Sequence, residues 1–264
     1  MTSVLGTDIS ANQVHPIDFG QLYAAGVRVC IVKATEGLGY VNPDFAGDVD
    51  MAAVAGIRVG AYHFARPAES DAISQARAFL AACAPVRGAL TLPDTLDLED
   101  QGGLGWGTLA AWAQAWLGPP LPPRMVYLSG WFRQSLMPGV PWGHHLWLAA
   151  PGAPQVIPAG CSAVQFSWTG TLPGIAGVED LDRFDASLLG PPQETAVPDL
   201  IIKYQTGDWL VRADMSSRTA MATPADRDVA IVAGAATGHA LTPAQMQKIP
   251  VAGRGLLARL LGRA

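Results

Sequence analysis

In the first half of the chain, short runs rich in Val and Ile alternate with alanine-rich stretches whose apolar positions recur at helical spacing. Residues 4–9, 27–34, 57–64 and 90–98 read as strands, and residues 18–25, 44–55, 72–84 and 104–117 as the helices that follow them. Gly26 and Gly56 stand where the first two helices stop. Strand, helix and glycine stop recurring at this pace describe βα units on a parallel sheet. The run Val29-Cys30-Ile31-Val32 shows no polar alternation, as expected of a strand covered on both faces.

After residue 118 the pattern changes. Residues 125–129, 145–149 and 163–168 keep strand character, but their connections carry Pro and Gly rather than helical periodicity, and 118–123 and 139–143 read as loops. Both halves fit one α/β reading, an irregular TIM-like β/α barrel of eight strands whose last strands lack full helices, closing near residues 180–184. Barrel enzymes work at the carboxyl ends of their strands, so the polar residues there carry the functional question. Residues 186–198 have linker composition. Beyond them, a hairpin over 199–211 turning at Gly207-Asp208, helices over 224–236 and 242–248, and an amphipathic tail make a small α+β appendage. The expected boundaries are 1–188 for the barrel, 189–198 for the linker, 199–252 for the small domain and 253–264 for the tail.

Composition narrows the classes. Half of the 264 residues are apolar and only 15% are charged, against roughly 25% in an ordinary domain. Mean hydropathy is +0.23, yet no run approaches the ~18 apolar residues of a membrane span. A net charge of −5 leaves no broad footprint for nucleic acid. Cys30, Cys83 and Cys161 are far apart and match no zinc spacing, so buried free thiols are expected. His144-His145 lacks a third ligand, and no metal or cofactor is expected.

The candidate chemistry is acidic. In Leu96-Asp97-Leu98-Glu99 the two acids stand at i and i+2 on a strand end, which puts both on one face, about 7 Å apart at Cα, with Leu98 on the other. Like charges that close push one proton affinity up, which is how a carboxylic acid stays protonated as a general acid near neutral pH. Asp8 ends the first strand and Asp180 lies at the last. Asp-x-Glu alone is too short to decide between chemistry and exposed strand-end acids.

The surrounding blocks add specificity. Gly6-Thr7-Asp8-Ile9-Ser10, Val32-Lys33-Ala34-Thr35-Glu36-Gly37, Gly60-Ala61-Tyr62-His63-Phe64, Leu96-Asp97-Leu98-Glu99, Val126-Tyr127-Leu128-Ser129, Leu146-Trp147-Leu148-Ala149, Val164-Gln165-Phe166-Ser167 and Glu179-Asp180-Leu181-Asp182-Arg183-Phe184 follow in order. Together they resemble the glycoside hydrolase family 25 lysozymes, the muramidases of many phage endolysins. The resemblance runs from residue 3 to about residue 185. It implies a flattened barrel and cleavage of the β-1,4 bond between N-acetylmuramic acid and N-acetylglucosamine of bacterial peptidoglycan, with retention. It puts the general acid on Glu99 and its partner on Asp97, as nucleophile or as stabiliser of the substrate's N-acetyl group. Asp8 and Asp180 would line the floor. The family's last motif usually reads Val-Asp-x-Asn-x-Phe, so this chain departs from it at Glu179 and Asp182; Phe184 sets the register that favours Asp180.

A sugar groove needs flat apolar faces and neutral hydrogen-bonding groups more than charges. Tyr62, Tyr127 and Trp147 lie at strand ends and match family groove positions; Gln165 and Lys33 are weaker candidates for substrate contact, and Glu36 is a groove acid or a loop salt-bridge partner. His63 alternates away from Tyr62 and reads as a packed histidine. Tyr204 and Trp209 of the appendage stack on sugars or pack a small core, so that segment binds wall or docks the hydrolase to phage tail proteins. No charged stretch followed by an apolar run opens the chain. The expected setting is therefore a phage or prophage endolysin made in the host cytoplasm. It reaches the wall by holin-type release, the alternative being a component of the virion tail tip.

Overall fold

A computed structural model describes residues 2–118, 124–136, 145–190, 200–204, 207–211 and 230–232. The chain divides into two compact units, Met1–Pro191 and Pro192–Ala264. The first unit contains strands β1 (Ser3–Ile9), β2 (Val27–Glu36), β3 (Tyr40–Val41), β4 (Arg58–Phe64), β5 (Thr95–Asp97), β6 (Met125–Ser129), β7 (His145–Ala149), β8 (Ala163–Gly170) and β9 (Glu179–Asp185). Their order is β1-β9-β8-β7-β6-β5-β4-β2-β3, and β1 also pairs with β2, so eight strands close a barrel with β3 as an edge ribbon. Helices α1 (Phe19–Ala24), α2 (Phe45–Val54), α3 (Ala72–Cys83), α4 (Trp106–Leu117) and α5 (Gly130–Leu136) pack outside.

Local chemistry sets the helix ends. The Asp18 carboxylate accepts the Gln21 backbone N–H at 3.0 Å and Asp71 accepts that of Ser74 at 2.9 Å, each satisfying a donor with no partner inside its helix. Gly26 and Gly56 follow α1 and α2 at φ +100° and +84°, a backbone that a Cβ would strain.

Period-two alternation then divides each strand between two cores. Cys30, Val32, Leu96, Leu98, Val126 and Leu128 face outward and pack on Leu22, Phe79, Leu109 and Trp116. Val29, Ile31, Met125, Tyr127, Trp147 and Phe184 fill the barrel interior. Each fully buried aliphatic or aromatic side chain is worth roughly 1.5–3 kcal/mol. Gly6 lets the interior close, because a Cβ there would lie 2.5 Å from the Phe184 ring.

Five expectations are corrected. The strand placed at 90–98 shrinks to β5, because Pro93 has no N–H to give a ladder; Leu90 keeps only an isolated bridge to Val59. A helix does follow β6: α5 starts directly at Gly130, with the Ser129 hydroxyl accepting the Phe132 N–H at 3.2 Å, and is too short to show periodicity. The sheet is not all parallel, since β9 runs antiparallel to β1 and β8. In the second unit, β10 (Leu200–Tyr204) pairs antiparallel with β11 (Gly207–Val211), so Gly207 and Asp208 are strand residues rather than a turn. There too β12 (Ala230–Val232) pairs with β10 where a helix was expected, its β-branched Ile231 and Val232 suiting a ladder. Residues 191–199, 242–248 and the tail at 253–264 lie outside the described residues, as do 119–123 and 137–144. Cys30, Cys83 and Cys161 are buried free thiols. Among the described residues no helix is long and apolar enough to cross a membrane.

Candidate active site

Interior-facing residues become a site where the strands end. Asp8 on β1, Lys33 on β2, Tyr62 and Phe64 on β4, Asp97 on β5, Tyr127 on β6, Trp147 on β7 and Gln165 on β8 line one cleft of about 330 Å³, with Asp8, Phe64 and Asp97 at or next to the carboxyl ends of their strands. Glu99, one residue past Leu98, joins Asp97 there, while Leu98 is buried in the outer core. Asp180 reaches the same end from the amino terminus of β9, because that strand runs in reverse.

Asp97 is buried, and its Oδ1 has no hydrogen-bond partner among the described residues. Burial, then the Glu99 and Asp8 carboxyls, push its pKa well above the ordinary carboxylate range, with Lys33 pulling the other way. Glu99 is accessible within the cleft, yet the protein packed around it, and next the Asp180 charge, raise its pKa; Lys33 and Arg66 lower it. Asp8 is pushed up to about 8, by burial first and then by Asp180, against hydrogen bonds from Gln165 and Asp182. Burial also raises Asp180.

A polar network fixes the floor. Gln165 Nε2 donates to Asp8 at 2.9 Å, and Gln165 Oε1 accepts from the Tyr127 hydroxyl and the Trp168 indole, each at 2.6 Å. The Trp147 indole donates to Asp182 at 3.0 Å, and its ring meets Tyr127 edge-on with centroids 4.7 Å apart. Trp147 is only 2% exposed and Tyr127 7%. Both line the cleft as its buried floor, with their polar ends committed to Asp182 and Gln165, and Tyr62 is the most accessible of the three.

At the rim, Glu36 pairs with Lys33 and Arg66, and Arg66 also bonds Asp100 at 2.8 Å. Glu36 is thus a salt-bridge partner rather than a cleft-lining acid. Behind it, His63 is fully buried, bonds Thr35 and Gln75 at 2.8 Å each, and stacks on Trp116. Burial lowers its pKa to about 4, so it is neutral and structural. His145 pairs with Ser162, and His144 lies outside the described residues. Among the described residues no cluster of His, Cys, Asp or Glu could hold a metal ion.

Sequence reasoning missed Trp168, Ser10 and Asn12, which also line the cleft. Strict alternation aims Trp168 away from Gln165. Two register shifts in the β8–β9 ladder, between Gln165 and Ser167 and between Ser167 and Gly170, turn it back over Gln165. The result is a 54% exposed indole face at the cleft edge, held by its N–H. Chemically, the cleft offers an accessible acid of raised proton affinity, a neighbouring carboxyl with one oxygen unpartnered among the described residues, and an aromatic plate.

A family model described as glycosyl hydrolases family 25 matches residues 7–175. An N,O-diacetylmuramidase of Chalaropsis sp. is 42% identical over 122 residues, covering 44% of this chain and 57% of that protein. Lysozyme M1 of Streptomyces globisporus is 29% identical over 205 residues, 70% of this chain and 69% of the other. Against the first of these, the chain spans a little over half of the relative's length. The solved bacterial lysozyme from Streptomyces coelicolor superposes with a TM-score of 0.62 at 26% identity, covering 71% of this chain and 96% of that one.

Proposed function

The chain belongs to glycosyl hydrolases family 25, and from that premise we propose that it is a muramidase. It cleaves the β-1,4 bond between N-acetylmuramic acid and N-acetylglucosamine in bacterial peptidoglycan. The observation that carries this reading is the Asp97–Glu99 pair in a cleft that also presents Tyr62, Trp168 and neutral polar groups. Glu99 keeps its proton against water and donates it to the leaving glycosidic oxygen. Because the two acids are neighbours at i and i+2 rather than facing across the bond, the nucleophile is assigned to the sugar. Its N-acetyl carbonyl oxygen bonds to the anomeric carbon as the bond to the leaving oxygen breaks. Asp97 Oδ1, unpartnered among the described residues, accepts the acetamido N–H, and the cation forming on the sugar favours the ionised Asp97. Water then adds to the anomeric carbon as the bond to the acetamido oxygen breaks, giving its proton to Glu99. Two inversions leave the configuration retained.

Trp168 and Tyr62 offer faces to pyranose C–H groups, and Lys33, Asn12 and Ser10 offer polar contacts. Mass spectrometry of digested peptidoglycan tests the proposal. N-acetylmuramic acid at the new reducing ends is expected; reducing N-acetylglucosamine, or cut peptide bonds, would overturn it. The proposed setting is that of a phage or prophage endolysin acting at the wall, for which the wall polymer as substrate is the support. Lysis of cells expressing the chain only when a holin is co-expressed is the expected result. Co-sedimentation with phage particles would instead assign it to the virion.

A further inference from the structure

Asp182 lies beneath the cleft rather than in it. It is fully buried on β9, opposite Gly6 of β1 and Gln165 of β8. Its Oδ1 accepts the Trp147 indole N–H at 3.0 Å. Its Oδ2 is sealed from solvent with no N–H or O–H donor in reach among the described residues. What does lie within hydrogen-bonding reach is the carboxyl group of Asp8, whose Oδ2 already accepts from Gln165. A carboxylate oxygen left bare in that position is costly, and two adjacent anions would be costlier.

We infer that Asp182 is a neutral carboxylic acid whose Oδ2–H donates to Asp8, a proton-holding pair that positions Asp8 under the reacting acids. The groups facing Asp182 agree. Asp8 on β1, Tyr127 on β6 and Asp180 on its own strand are acids or neutral, and none is a cation. Burial, then Asp8 and Asp180, push Asp182 far above the ordinary range, with the indole bond pulling back. For turnover this rests on the muramidase reading; for the pair itself it does not.

Asn at this position, the residue the family's motif usually carries, could make both bonds, accepting from Trp147 through Oδ1 and donating to Asp8 through Nδ2, but it cannot titrate. A group whose folded pKa is raised gives stability at low pH, and that stability is lost as pH rises from the unfolded carboxylate pKa toward the folded one. Asp182→Asn removes this slope. Between about pH 5 and about pH 9, the thermal midpoint of the natural protein should therefore fall relative to that of D182N, the gap widening with pH. The alkaline limb of the wall-clearing profile should move to higher pH in D182N. Asp182→Leu, which strands both Asp8 and the indole N–H, should lose about tenfold or more in activity, a loss that Asn does not share.

Parallel stability curves for the natural protein and D182N would overturn the inference. Should D182N fail to fold, a carboxyl ¹³C titration of the Asp-labelled natural protein decides. The Asp182 signal, assigned through the backbone, should titrate well above the ordinary range near 4; titration of Asp182 within that range contradicts the pair. The melting and titration experiments use no substrate, so a protein inactive on walls would sink the muramidase reading while leaving the pair standing.

Discussion

Two glutamates near the cleft, Glu36 and Glu99, respond to their surroundings in opposite senses. Glu36 is the more enclosed, its side chain 25% exposed, yet it gives up its proton readily. Burial pushes it up, but hydrogen bonds from Lys33 and Arg66 outweigh that and hold it below the ordinary value. Glu99 is more accessible and makes no ion pair among the described residues, and its pKa is raised by the packed walls and the Asp180 charge. Exposure therefore does not sort these acids; the company each keeps does. The rim supplies cations in contact, while the floor supplies other carboxyls. One residue type is held toward its ionised form at one site and pushed toward its protonated form at the other.

The strongest way to break that contrast is at Glu99 itself. Glu99→Gln should lower kcat by about 10³-fold, within the ~10²–10⁴ range of a general acid, without lowering the thermal midpoint, as measured by turbidity clearing and calorimetry. Asp97→Asn should cost about 10²-fold in kcat with little change in KM, the expected size for losing one transition-state contact; a pure KM effect would make Asp97 a binding residue. Trp168→Ala removes the aromatic plate and should raise KM about tenfold, near the upper end of a stacking contribution, with kcat largely kept. Lys33→Met sharpens the comparison directly. It removes a cation that pulls Glu99 down, so the alkaline limb of the kcat/KM profile should move to higher pH; movement to lower pH would contradict the assignment. The smallest effect is at the rim. Arg66→Ala should cost at most about 1 kcal/mol in stability, less at high salt, because its pairs with Glu36 and Asp100 are partly exposed.

The parts of this arrangement that follow from simple periodicity were legible in the sequence. Val29 and Ile31 inside and Cys30 and Val32 outside follow from alternation, and so does the shared face of Asp97 and Glu99. Strand direction was not legible: nothing in Glu179–Asp185 says that β9 runs in reverse, and that reversal brings Asp180 to the cleft from an amino end. Local irregularity was equally hidden. Trp168 lies on the site only because the ladder beside it slips twice, and Ala230–Val232 became strand where alanine content suggested helix. The choice between Asp180 and Asp182 proved to be one of depth, with Asp180 lining the cleft and Asp182 bonded to Trp147 below it.

The most direct test is a carboxyl ¹³C titration of the Glu-labelled protein, assigned with E36Q and E99Q. The account predicts that Glu36 titrates below 4.5 and Glu99 above it in the same sample. If Glu99 titrates at or below Glu36, the cleft does not hold a proton for catalysis and the central claim fails.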